Sequence, residues 1–155
     1  MSVTAVSRGM SRLARLACDG RGGAENLLVR VLVGAVFLSE GIQKFLFPAA
    51  LGVGRFEHIG IPFPRVAAPF VGVVEMVGGV LVLAGLSTRV AVLLLLIDIS
   101  VAIATTKIPM LTAKGFWATA HEARTDWSMM LGLLFLLFAG AGELSLDARL
   151  TRRRR

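Results

Sequence analysis

Four charged side chains stand inside apolar sequence, and their spacing is what chemistry would need. Glu75 lies within Pro69 to Arg89, PFVGVVEMVGGVLVLAGLSTR, a run as long as the ~20 residues of a membrane-crossing helix. Ala68, Gly72, Glu75 and Gly79 follow one another at steps of four, three and four, so they share one helical face. Gly72 and Gly79 on that face invite close approach of another helix. A lone acid in such a run is costly against lipid and must face protein or water. Glu40 and Lys44 stand four apart in an earlier apolar run, the acid first, which is the favourable order for an ion pair along a helix. Asp98 occupies the middle of a third run. Carboxylates held in a low dielectric exchange protons nearer neutral pH than free ones. The set Glu75, Glu40, Lys44 and Asp98 is therefore the candidate site for ligand binding or proton handling.

These residues need apolar helices to carry them. The chain has 155 residues, enough for one domain, and 55% of them are hydrophobic. Mean hydropathy is +0.76, too high for a soluble domain of this size. Four spans are expected, at about residues 27–47, 66–86, 90–108 and 126–142. In the first, Arg30, Gly34, Phe37, Gly41 and Lys44 form one stripe, and Arg30 is placed to snorkel to the near interface. Gly34 and Gly41 there, with Gly72 and Gly79, are the expected helix-packing positions. The turn Gly85 to Arg89 is short enough to force an antiparallel return. Pro48 ends the first span and Pro109 the third, leaving loops at 48–65 and 109–125. The expected fold is all-α, an antiparallel four-transmembrane-helix bundle at 27–147, between a basic N-terminal tail at 1–26 and a basic C-terminal tail at 148–155.

Charge sets the orientation. The net charge is +7. Arg8, Arg12, Arg15 and Arg21, then Arg89, then Arg149 and Arg152 to Arg155 make ten basic residues on one side. The two longer loops carry Arg55, Arg65, Lys114 and Arg124. An excess of this kind puts both termini in the cytoplasm, and it reads as topology and anionic-lipid contact instead of nucleic-acid binding. The depths of Glu40, Glu75 and Asp98, at ~1.5 Å per residue, describe a polar pocket opening outward.

Several chemistries lack their residues. Cys18 is alone, so the chain has no dithiol and no internal disulfide. His58 and His121 fall in loops, which leaves no axial pair for haem between the spans and makes two loop histidines a weak metal signal. No metal site is expected. No nucleophile elbow, phosphate loop or dinucleotide fingerprint is present. No intrinsic redox centre follows from the residues.

The motifs resemble the DoxX family, in the wider DoxD-like group. The resemblance rests on Arg30 and Gly34, Gly41-Ile42-Gln43-Lys44, Glu75-Met76-Val77-Gly78-Gly79, Gly85-Leu86-Ser87-Thr88-Arg89, and Gly140-Ala141-Gly142 with Ser145-Leu146-Asp147. It extends over about residues 28–150. It implies a four-helix protein of the bacterial inner membrane, an accessory subunit of a quinone-linked or thiol and oxidative-stress oxidoreductase complex. Quinone is the cofactor it implies, and a soluble or membrane oxidoreductase subunit the partner, beside the bilayer. The chain departs from the family's usual Gly-Pro-Gly at Ala141, and it carries Glu40 where relatives often have another polar residue or histidine. A non-catalytic anchor or scaffold is the alternative, and a small transporter or proton channel a third reading.

Overall fold

The structure is a computed structural model, and it describes residues 23–153. The expectations about Arg8, Arg12, Arg15, Cys18 and Arg21, and about Arg154 and Arg155, lie outside the described residues. Among these residues there are α-helices and no strands. Four helices are long: α1 (Ala24–Leu46), α3 (Pro64–Ala84), α4 (Thr88–Lys114) and α6 (Arg124–Ala139). Three are short: α2 (Val53–His58), α5 (Phe116–Glu122) and α7 (Leu146–Arg153).

The long helices close a ring in which α1 packs on α3, α3 on α4, α4 on α6 and α6 on α1. Their shared core holds Val33, Phe37, Val82, Leu95, Leu133 and Leu136. The α1–α3 contact is the most extensive, and glycine makes it. A Cβ on Gly34 would lie 2.9 Å from the Gly79 carbonyl oxygen, and one on Gly41 would lie 2.6 Å from that of Gly72. The two backbones therefore touch, which is the packing that helices use where lipid removes the hydrophobic drive between them.

The large side chains point the other way. Val66, Phe70, Val73, Val77 and Val80 run down the exposed face of α3. Leu94, Ile97, Val101 and Ile108 do the same on α4. A protein that buries glycine and exposes valine, leucine and phenylalanine in continuous stripes is built for an apolar surround. The helices α3 and α4 are each long and apolar enough to cross a membrane.

Local signals place the ends. Phe63 has φ 50°, and Pro64 follows at the first turn of α3, where a missing N–H costs nothing. Gly85, with φ 65°, closes α3. The Leu86 N–H donates to Leu81 O and the Gly85 N–H to Val82 O, the paired bonds of a Schellman ending. Only residues 85–87 then separate α3 from α4.

Three expectations change. The helix α4 continues through Pro109 to Lys114 instead of stopping at 108. Pro109 has no N–H for the Thr105 carbonyl, and proline is tolerated inside membrane helices; the Thr105, Thr106 and Thr112 hydroxyls around it bond to the Val101, Ala102 and Pro109 carbonyls. The segments expected as loops at 48–65 and 109–125 contain α2 and α5. The expected boundary between 147 and 148 falls inside α7.

Candidate functional site

The glycine contact between α1 and α3 brings Lys44 beside Glu75. Lys44 Nζ lies 2.6 Å from Glu75 Oε2, with side chains only 12% and 7% exposed. The Glu75 carboxylate is buried and takes the Lys44 ammonium as its charged partner. Asp98 enters from α4 and interacts electrostatically with both Glu75 and Lys44, and Glu40 interacts with Glu75.

All four residues singled out in the sequence line one cavity of about 400 Å³. That volume falls within the ~300–1,000 Å³ usual for small-molecule sites. Phe37, Phe56, Val71, Ile99 and Met129 form apolar walls. Lys107 and Asp126 lie on the same lining and are paired at 3.2 Å, tying α4 to α6. Gly72 and Gly79, on the Glu75 face of α3, are both buried against α1.

Two pairings differ from expectation. Lys44 pairs with Glu75 on the neighbouring helix, not with Glu40 one turn away on its own. Glu40 is exposed at the cavity's side, where water screens it, whereas Glu75 is buried and its attraction for the ammonium is stronger. Arg30 does not snorkel. It is 2% exposed and turns inward to the end of α3. Its Nε donates to Val82 O at 2.8 Å, Nη1 to Leu144 O at 2.7 Å and Ala141 O at 3.2 Å, and Nη2 to Leu83 O. Helix carbonyls left open at a C-terminus attract a cation, and guanidinium geometry serves several at once.

Arg30 is the centre of a second polar cluster. Asp147 accepts from the Ser87 N–H at 2.8 Å and the Thr88 N–H at 3.1 Å, capping α4 from a distant segment. The Asp147 N–H in turn donates to Gly85 O. A Cβ on Gly85 would stand 2.6 Å from Arg30 Cζ, so glycine is needed there both for its φ and for space. The motifs around Arg30, Gly85 and Asp147, separate in sequence, are one knot. An open hollow of about 680 Å³ beside it includes Ser87, Arg89 and Asp147. It is less enclosed than the Glu75 cavity, and the Asp147 carboxylate and Ser87 N–H in its wall are already bonded to each other.

Sequence reasoning missed α2 as a contributor. Arg55 and Phe56 reach the cavity from it, and the alternation of glycine and polar residues around them resembles a loop. The Lys107–Asp126 pair is a second contribution that the sequence reading did not name. His58 and His121 do not assemble a site. Among the described residues no group of three or more His, Cys, Asp or Glu side chains could hold a metal ion.

The DoxX family model matches residues 26–108, more than half of the chain. The chain belongs to the DoxX family. Relatives extend the likeness beyond the matched part. This DoxX chain is 56% identical over 133 residues to the uncharacterized membrane protein Rv3486 of Mycobacterium tuberculosis, covering 82% of each. It is 31% identical to the putative oxidoreductase CatD of Bacillus subtilis, over 78% of this chain and 83% of that one. An uncharacterized protein of Haemophilus influenzae is 32% identical over 77% of this chain and 85% of its own length. No solved structure matches. The DoxX protein is thus a membrane protein by family, by relatives and by the apolar faces of α3 and α4.

Proposed function

We propose that this DoxX protein crosses the inner membrane four times, with both termini cytoplasmic, and serves as an accessory subunit of a quinone-linked oxidoreductase complex. The cavity is its contribution: a place for the headgroup of a quinone or of a small sulfur compound, between the cytoplasmic knot and the outer face. One observation carries the reading. A buried Lys44–Glu75 pair, with Asp98 in reach, floors an apolar-walled cavity of about 400 Å³. Aromatic and aliphatic walls suit a flat ring, and the floor supplies both an ammonium donor and carboxylate acceptors for its oxygens. The name of CatD, a putative oxidoreductase, favours the same class. The helices α1 and α6 complete the four crossings. α6 has 16 residues, ~24 Å, and would need the bilayer to thin toward it. With one cysteine, and with His58 and His121 apart on the short helices α2 and α5, the electron-carrying group is assigned to the partner.

The alternative, a scaffold without ligand, draws on the two ion pairs, which tie α1 to α3 and α4 to α6. Glu75→Gln separates the readings because it keeps shape and removes titration. Purification in mild detergent, with assay of bound quinone and of co-purifying subunits, is the measurement. The redox reading expects a folded, inserted variant that has lost quinone or partner-dependent activity. Full activity in that variant rejects the site, and failure to accumulate supports the scaffold.

A further inference from the structure

The hollow beside the Arg30 knot lies apart from the Glu75 cavity and is placed where a lipid headgroup would be. Residues 85–87 join α3 to α4, and both helices are long and apolar enough to cross a membrane, so this turn stands at a bilayer face. The hollow of about 680 Å³ opens there, between the first turn of α4 and one side of α7. Val90 is exposed in its wall. Leu94, Ile97 and Val101 follow Val90 at steps of four, three and four, and all are exposed. One apolar stripe therefore runs from the hollow along α4. Such a stripe suits an acyl chain, and the hollow at its head suits the polar group that the chain carries.

Arg89 and Thr88 supply donors in that wall. Arg89 is exposed in the first turn of α4, and no acid pairs with it among the described residues. Thr88 is 1% exposed, and its Oγ1 has no hydrogen-bond partner among the described residues. A buried hydroxyl left so is costly, and a ligand acceptor relieves the cost. The backbone at the helix start is not the site, because Asp147 has already taken the Ser87 and Thr88 N–H groups. A guanidinium and a hydroxyl side by side fit phosphate oxygens. Glu143 and Asp147 also line the hollow, so one cation faces two carboxylates. That balance opposes a purely anionic headgroup and matches one that carries an ammonium beside its phosphate. We propose that the hollow binds a phospholipid with a primary-amine headgroup, of the phosphatidylethanolamine class. Its phosphate accepts from Arg89 and the Thr88 hydroxyl, its ammonium faces Glu143 and Asp147, and an acyl chain follows the Val90 stripe.

The test uses the full chain in nonionic detergent. Native mass spectrometry counts bound lipid, and thermal melting checks the fold. Dioleoyl phosphatidylethanolamine, phosphatidylcholine and phosphatidylglycerol share their chains and differ in the headgroup. The ethanolamine lipid should bind about tenfold tighter than the other two, the scale of one hydrogen bond to a charged group. The choline group has no N–H, and the glycerol group has no cation. Arg89→Gln should lower that affinity about tenfold, whereas Arg149→Gln, exposed on α7 and outside the lining, should leave it unchanged. Thr88→Val should lower it several-fold without lowering the melting temperature of the lipid-free protein, since the hydroxyl has no bond to lose among the described residues. Equal binding of the three lipids, or unchanged affinity in Arg89→Gln, overturns the site and leaves Arg89 a topology signal. Tighter binding of the glycerol lipid overturns it in favour of general anionic-lipid contact. Displacement by soluble O-phosphoethanolamine at the lipid's own concentration overturns the lipid as occupant. None of these results bears on the Glu75 cavity, so the two readings fail separately.

Discussion

The two ends of the bundle both bury charge, and they spend it differently. At one end the Arg30 guanidinium gives four hydrogen bonds, all to backbone carbonyls, and Asp147 takes two from the start of α4. Among the described residues, what is left without a partner there is a neutral hydroxyl, Thr88 Oγ1. At the other end Glu75 meets Lys44 at 2.6 Å, and Asp98 and Glu40 crowd the same space, so three carboxylates share the nearest ammonium with a cavity in front of them. A saturated polar cluster holds helices in place, and an unsaturated one beside a cavity has capacity to bind. The distinction lies in what each charge has left over, since both ends are buried and both are built from motif residues.

The sharpest way to break the comparison is at the saturated end. Arg30→Leu would strand carbonyls of Leu83, Ala141 and Leu144, leave Val82 O only the Gly85 N–H, and should cost about 3–5 kcal/mol, as for other buried charge networks cut on one side. Arg30→Lys should rescue little, because one ammonium cannot span the same fork of carbonyls. Accumulation in the membrane and thermal melting in detergent measure both. Normal accumulation and melting of Arg30→Leu would remove the knot's structural role.

Next in size is the contact that joins the ends. Gly79→Val places a Cβ 2.7 Å from the Leu38 backbone nitrogen and 2.8 Å from the Gly34 carbonyl oxygen, where no side chain can yield. Separation of α1 from α3 should cost roughly 1–3 kcal/mol and pull Lys44 away from Glu75. Stability should fall together with ligand affinity, whereas Gly60→Ala, at a glycine with open space but φ 76°, should affect only its own turn. Melting combined with the assay of bound quinone tells the two apart.

These expectations also show which parts were legible. Helix type and the α1–α3 seam were readable because glycine at steps of three and four marks a helix face directly. The grouping of Glu75, Glu40, Lys44 and Asp98 followed from depth along each span. Pairing was not readable. Nothing in the spacing of Glu40 and Lys44 tells that Lys44 finds a deeper carboxylate across the seam. Arg30 was misjudged for a related reason: near a span's end, an arginine reaching for water and one reaching for helix carbonyls have the same sequence. The turn Gly85 to Arg89 and Ser145-Leu146-Asp147 each looked like a local ending, and only the fold makes Asp147 the cap of α4.

Asp147 supplies the third and smaller effect. Asp147→Asn keeps one acceptor for the Ser87 or Thr88 N–H and loses the charge that favours the start of α4. A loss of about 1 kcal/mol is expected, with the bundle still inserted. Asp147→Ala should lose more, up to about 2 kcal/mol. A melting series in detergent orders the two. If Asn equals Ala, both acceptors are needed, and the knot tolerates no partial satisfaction.

The smallest stability effect should belong to the residue most important for binding. Glu75→Gln removes the charge but keeps an acceptor oxygen for the Lys44 ammonium, and Lys44 retains Asp98 within reach. The removal also relieves crowding among three carboxylates, so the net change in stability should stay within about 1 kcal/mol of zero. Lys44→Met should cost more, because it strips the cluster of its nearest cation and leaves Glu75 buried beside Asp98 and Glu40. The double variant Lys44→Met with Glu75→Gln should then recover part of that loss, since the stranded carboxylate is gone. A double-mutant cycle by melting measures the coupling. A large loss for Glu75→Gln alone, with no recovery in the double variant, would mean that this end is as fully engaged as the Arg30 end. The contrast between a holding cluster and a binding one would then fail at the residue on which it depends.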